Sequence, residues 1–475
     1  MVSAATLHTS CEVPILTDTT AKPRQAEYRD VSSPVFLRAV LDAIDVNDDA
    51  GVKALVEPLH AADIAWLLGA MDASNRRALV KALGPDIDPE ILSELDEDLR
   101  TELVRTLGPK SVADAVKELH VEDAAYVLED LEDSEKREVL AQVPLADRAQ
   151  VVDALLFPEE TAGRVMHREF VTMQASMTVA EALVRLLSAD IPEEFQEIYL
   201  VDSERRPVGF LALSRLLRAT PASLLHDIAT TEMTIIPATS HQKAFAHLFE
   251  HYHLTSAPVT DETGCLVGVL SAGSVVEVLQ EMHKAEVLAL GGVAEGESLS
   301  GSLTKTTRLR FSWLFVNLLT AIIASIVISF FEASLEKAVA LAILMPIVAS
   351  MGGNAGTQTL TVIVRALATK ELNQANLWRV INREMLIGVT NGTGFALLAA
   401  GITWVWFHDL ALAGVIASAM LINLLAAAVS GVFVPLALNK AGVDPAVSSP
   451  VVVTTVTDVV GFVSFLGLAT WLLLN

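Results

Sequence analysis

Residues 311–331 read FSWLFVNLLTAIIASIVISFF, twenty-one consecutive residues without a charge. At 1.5 Å per residue, a helix of that length spans about 30 Å, the thickness of bilayer hydrocarbon. Four similar stretches follow, at about 338–364, 385–407, 410–438 and 447–474. Buried helices of a large soluble core are the alternative, but five such runs in succession point to membrane spans.

The remainder of the chain is of another kind. The 475 residues are 52% apolar with mean hydropathy +0.47, yet 33 Lys and Arg face 58 Asp and Glu, a net charge of −25. From Lys305 onward nine basic residues meet seven acidic ones, so residues 1–304 carry 24 basic and 51 acidic. That acidity excludes nucleic-acid binding, and the apolar content excludes disorder throughout. Cys11 and Cys265 stand alone and read as free thiols. Residues 1–34 hold Glu12 and Asp18 and no apolar run, so they read as a polar tail and not a signal peptide.

Basic residues orient the spans. Lys305, Arg308 and Arg310 precede the first, Arg365, Lys370, Arg379 and Arg383 separate the second and third, and Lys440 separates the fourth and fifth. The opposite loops hold Glu332, Glu336, Lys337, His408 and Asp409. The acidic half is therefore expected in the cytoplasm and the C-terminus outside. Five spans leave no inverted repeat within one chain, so a symmetric pathway needs two copies.

Polar residues inside spans require a reason. Asp458 lies near the bilayer midplane, where an ionised Asp costs about 2.5–3.5 kcal/mol. Thr454, Thr455 and Gly461 share its helical face. No intramembrane Lys or Arg is available to pair it, so a cation site is favoured over a helix-capping role. In the second span, residues 351–358 read MGGNAGTQ. Its glycines suit either close helix packing or exposed backbone, and Asn354 and Gln358, one turn apart, add amides that favour a water-lined path beside Gly353. Asn317 and Asn423 read as interhelical hydrogen bonds. A single carboxylate among hydroxyls, with no Cys or His, suits a largely hydrated Mg²⁺ better than Ca²⁺ or Zn²⁺. Mn²⁺ and Co²⁺ fit the same chemistry.

Residues 60–157 carry a cadence of twelve: Met71, Leu83, Leu95, Leu107, Leu119, Leu131, Val143 and Leu155. Twelve residues make one short helix and a turn, which cannot bury its apolar face alone, so a helical superhelix is expected, with an irregular bundle the alternative. Residues 178–217 and 240–279 form a second repeat, each reading helix, strand, turn, strand, helix. That order resembles a pair of CBS domains, which implies adenine-nucleotide binding or dimerisation. His247 and His251 have a spacing that can bind Zn²⁺, but without a further ligand in register they read as solvated or partly packed histidines.

The order of parts resembles the MgtE magnesium transporter/channel family over residues 35–475. Three motifs carry the resemblance: FPEETAG at 157–163, Pro346 followed by MGGNAGTQ, and DPA at 444–446 followed by TTVTD at 454–458. It implies a multidomain membrane protein: an acidic helical superhelix (35–160), an α/β CBS pair (161–280), a linking helix (281–310) and a five-helix membrane domain (311–475). It further implies a homodimer in the inner membrane, surrounded by lipid, that takes up Mg²⁺ through a pore on the two-fold axis with Asp458 holding the hydrated ion. Gly353, Asn354, Gln358 and Thr454 are then pore-lining, and Asp444 sits at the cytoplasmic mouth. Glu122, Asp123 and Glu286 are candidates for regulatory Mg²⁺.

The chain departs from the family pattern at several bridging carboxylates. Gly273 and Ser274 stand where Asp-Asp is usual, residues 122–126 read EDAAY, and Lys284 enters the acidic linking segment. Lys284 is expected to repel, Mg²⁺-dependent closure to be weaker, and nucleotide binding at the second CBS repeat is put in doubt by Ser274. A membrane-tethered CBS sensor has no use for Asp458, and no nucleophile–base constellation supports an enzyme.

Overall fold

The computed structural model describes residues 31–473 except 85–86, 189–190, 193–194, 196, 294–296, 298–300, 302 and 374. Most of the expected tail, Cys11 and the last residue of the fifth span lie outside the described residues. The chain divides into two compact units, residues 1–84 and 85–475.

The first unit holds α1 (Pro34–Asp45), α2 (Asp49–Val56), α3 (Ala61–Ala70) and α4 (Ala73–Leu83). Asp72 caps α4 by accepting from the Ser74 and Asn75 amides at 2.9 Å. The second unit continues with α5 (Glu90–Ser93), α6 (Glu97–Glu118), α7 (Val121–Glu129), α8 (Asp133–Leu140) and α9 (Leu145–Leu155). Gly108 breaks α6 at φ 79°, and Pro109 restarts it, a pair suited to end one helix and begin the next. That kink preserves the twelve-residue cadence. Met71, Leu83, Leu95, Leu119, Leu131 and Val143 are buried at or near helix ends. Alternate helices stack as a superhelix requires: α2 on α4 in the first unit, and α5 on α7, α6 on α8 and α7 on α9 in the second.

Two α/β repeats follow α10 (Ala162–Val165). The first has β1 (Val171–Gln174), α11 (Val179–Leu186), β2 (Glu197–Val201), β3 (Pro207–Ala212) and α12 (Leu213–Arg218). After α13 (Leu225–Ile228), the second has β4 (Ile236–Pro237), α14 (Gln242–Tyr252), β5 (Ser256–Thr260), β6 (Leu266–Ser271) and α15 (Ala272–Leu290). Each sheet pairs its first two strands parallel and its last two antiparallel. The leading strands β1 and β4 were absent from the expected order. They span four and two residues, too short for an alternating pattern to declare itself. Helix α15 runs without interruption from the second repeat into the linking segment.

Among the described residues, five helices are long and apolar enough to cross a membrane: α16 (Leu303–Ser329), then, after the short α17 (Glu332–Lys337), α18 (Val339–Ala368), α19 (Leu377–Phe407), α20 (Leu410–Lys440) and α21 (Pro445–Leu473). Helix α20 is the hub, packing on α18, α19 and α21 around Leu344, Val348, Ile416, Ala419 and Phe465. Helix α16 packs on α21 and leaves most of its apolar surface open. Helix α19 starts earlier than hydropathy suggests and takes in Glu384, which is 7% exposed and accepts from Thr359 Oγ1 at 3.3 Å.

Candidate functional site

Two helices build the candidate pathway. Asp458 lies 13 residues beyond Pro445 in the 29-residue α21, about 20 Å along its axis. Among the described residues no basic group or hydrogen-bond donor reaches its carboxylate. One turn earlier, Thr454 Oγ1 bonds back to the Pro450 carbonyl at 2.9 Å. Pro450 has no N–H to give the ladder, and this back-bonding together with the proline bends or loosens a helix.

The 351–358 segment of α18 divides its residues between two faces. Gly352 and Gly356 are buried, and a Cβ at Gly352 would meet Asn423 Nδ2 at 2.1 Å. A Cβ at Gly356 would meet Val453 Cγ1 at 2.6 Å. These glycines serve close packing. Gly353 instead looks toward Thr454, whose Cγ2 would lie 3.9 Å from an added Cβ, an ordinary contact, and Asn354 and Gln358 are exposed. The packing expectation holds for Gly352 and Gly356, while Asn354 and Gln358 lie on a face left open by the other helices.

Asn423 is fully buried and donates from Nδ2 to the Val348 carbonyl at 2.8 Å, joining α20 to α18. Its amide also lies against Gly461 of α21. Among the described residues Asn317, half-buried on α16, makes no corresponding side-chain bond.

A second polar region lies where the helical repeats meet the α/β pair. His167 hydrogen-bonds Glu122 through Nδ1, and its Nε2 lies 2.7 Å from Ser274 Oγ and 3.0 Å from Ser271 Oγ. The Glu122 hydrogen bond holds the imidazole's pKa above its usual value. Burial, then the charge of Glu122, pushes Asp123 up to about 6. Burial, then Asp123, raises Glu277. Beside them Arg164 bonds Glu129 and the carbonyl of Ala154.

A separate cavity of about 300 Å³ is lined by Asp96, Glu97, Asp98, Glu281, Glu286 and Asp444, among others. Glu286 lines this cavity and Glu122 and Asp123 do not. Among the described residues no group of three metal-ligating side chains is preassembled. His247 and His251 stack with ring centroids 5.7 Å apart and gather no further ligand. Asp444 caps α21, accepting from the Ala446 amide at 2.8 Å. Lys284, expected to repel, sits between Asp96 and Glu281. Sequence spacing could not reveal that neighbour, because Asp96 is 188 residues away.

Comparison with known proteins gives the same order of parts. Residues 345–468 match the MgtE divalent cation transporter family, 59–160 the MgtE intracellular N domain, and 162–222 and 225–281 the CBS domain. The magnesium transporter MgtE of Thermus thermophilus is 34% identical over 331 residues, covering 69% of this chain and 73% of the relative. That of Bacillus subtilis is 30% identical over 327 residues, covering 68% and 72%. Among solved structures, the cytosolic domain of the Mg²⁺ channel MgtE in complex with ATP is 27% identical, with a TM-score of 0.47 over 51% of this chain and 99% of that one. An acidic intracellular domain, a CBS pair and a membrane domain with an unpaired mid-helix carboxylate are thus joined in one polypeptide, and the chain belongs to the MgtE family of divalent cation transporters.

Proposed function

We propose that the protein is a Mg²⁺ uptake channel of the inner membrane, acting as a homodimer whose pore lies between α18 and α21 of two copies. The observation that carries this reading is Asp458, an unpaired carboxylate midway along an apolar helix. Burying it there without a partner is unfavourable, and a passing hydrated dication relieves that cost. Mg²⁺ keeps its inner waters and needs only one or two carboxylates, which one Asp458 from each copy supplies. Gly353, Asn354, Gln358 and Thr454 offer the hydrated ion a polar wall without crowding it.

In this reading the N-terminal half lies in the cytoplasm, the C-terminus lies outside, and Asp444 sits at the inner mouth. Glu122, Asp123 and Glu286 belong to two separate regulatory regions. Adenine-nucleotide binding by the CBS pair is part of the proposal. The start of α15 is the weaker end for it, because Ser274 Oγ is already bonded to His167.

Growth rescue of a Mg²⁺-auxotrophic strain tests the function. Rescue by the wild-type chain and none by Asp458→Ala, at equal membrane abundance, is the expected result. Uptake of Mn²⁺ or Co²⁺ in preference to Mg²⁺ under competition would favour the alternative cargo. Full rescue by Asp458→Ala would remove the pore assignment.

A further inference from the structure

Three lysine side chains cross between parts of the protein that are far apart in sequence. Lys284 Nζ, on α15, lies 3.2 Å from Asp96 Oδ1 and, within its own helix, 3.5 Å from Glu281 Oε2. Lys305 Nζ, on α16, lies 3.0 Å from Glu97 Oε1 and 3.4 Å from Asp98 Oδ1. Lys243 Nζ, in the first turn of α14, lies 3.6 Å from Asp444 Oδ2, immediately before α21.

The carboxylates they meet need cations. Asp96, Glu97 and Asp98 are consecutive at the start of α6, where the helix dipole favours anions but cannot by itself offset their mutual repulsion. Glu281, Glu286 and Asp444 border the same cavity. Here the neutralising charges are covalently attached to the chain. Burial works against the ammonium of Lys284, but Asp96 and Glu281 together lift its pKa above the usual range. It therefore stays charged.

The position of α15 also reaches the pathway. Ala289 packs with Leu360 and Val364 of α18 and with Ala446 and Val453 of α21. Holding α15 in place therefore holds the ends of the two helices that carry the glycine segment and Asp458.

We propose that Lys284 and Lys305 act as tethered counter-cations, latching the first turn of α6 to the linking helix and to the first membrane helix, so that the cytoplasmic assembly closes without a divalent cation bridging its carboxylates. The closure itself stands independently of the pore assignment; only its effect on flux rests on that reading. Each pair is partly exposed and weak alone, so the latch depends on two ammonium groups each shared by two carboxylates, and it loosens as salt rises.

The test is limited proteolysis of the full-length protein in nanodiscs with chymotrypsin, whose activity needs no metal and whose sites the lysine changes leave intact. It is run in chelator and in millimolar Mg²⁺ at matched ionic strength. Wild type should be protected in both. Lys284→Glu combined with Lys305→Glu should be cleaved about fivefold faster in chelator, the opening expected when two exposed ion-pair groups are reversed. Mg²⁺ should restore its protection, since the variant presents a carboxylate cluster with no attached cation. Lys284→Glu alone should lose part of the protection in chelator, and adding Asp96→Lys, which exchanges that pair, should recover it and separates loss of the latch from misfolding. Wild type protected only in Mg²⁺, a double variant cleaved no faster in chelator, or a pair exchange that restores nothing would each overturn the proposal. Mg²⁺ flux that rises in the double variant at low internal Mg²⁺ would connect the latch to the pore; unchanged flux with altered proteolysis would remove the pore connection and leave the latch.

Discussion

Two adjacent glycines in α18 should respond oppositely to the same methyl group. At Gly352 a Cβ would lie 2.1 Å from Asn423 Nδ2, 2.7 Å from its Cγ and 2.9 Å from its Oδ1. The whole amide is in the way, so a rotation of its tip gives no relief. The Asn423 amide also lies close to Gly461 of α21, where a Cβ would meet its Nδ2 at 2.8 Å, so it is confined between two helices that both need glycine beside it. Overpacking of this kind costs about 1–3 kcal/mol, and the displaced interhelical hydrogen bond adds about 0.6 kcal/mol. At Gly353 the nearest atom is Thr454 Cγ2 at 3.9 Å, an ordinary contact. Gly352→Ala should therefore lower thermal stability in detergent, measured by intrinsic fluorescence, while Gly353→Ala leaves it unchanged and reduces Mg²⁺ flux by narrowing the pathway face. Asn423→Ala should relieve Gly352→Ala, giving a double-mutant coupling of about 1 kcal/mol or more. Equal melting of the two glycine variants, or strictly additive effects of Gly352→Ala and Asn423→Ala, would refute the packing argument.

Asp123 has its pKa pushed up to about 6. An acid whose folded pKa is raised stabilises the fold at low pH and loses that contribution as pH rises through the folded value. Asp123→Asn should therefore exceed wild type in stability near neutral pH, by up to about 3 kcal/mol, with the advantage gone below pH 4 or so; a pH-independent difference would contradict this. Arg164 is buried and holds Glu129, so Arg164→Met strands a partly buried carboxylate. The expected loss is about 2–4 kcal/mol in denaturant unfolding of the full chain, and double substitution with Glu129→Gln should recover part of it; the absence of any recovery would count against the pair.

The membrane helices were legible because lipid imposes length and hydropathy directly on sequence. Their ends were less so. Arg379, Arg383 and Glu384 look like loop residues, yet α19 begins at Leu377, and Glu384 is buried within it against Thr359. Asp458 stood out because a charge in an apolar run has few explanations. The glycine segment could not be resolved from spacing alone, since packing and pathway faces differ only in what lies opposite. The intracellular charge pattern was the hardest to read. Lys284 reads from sequence as a repelling charge and Lys305 as an orientation signal; the sequence does not show that each also pairs with a carboxylate about 200 residues away. Glu122 and Glu286 look alike as acidic residues, but Glu122 bonds His167 whereas Glu286 lines the cavity that also holds Asp96.

The central claim is that Asp458 lies on the ion path. Mg²⁺ entry into proteoliposomes, followed with a trapped indicator, tests it most directly. Wild type should load the vesicles, and Asp458→Ala, inserted to the same density and melting no lower, should fall to the rate of protein-free vesicles. Entry through Asp458→Ala at the wild-type rate would contradict the account.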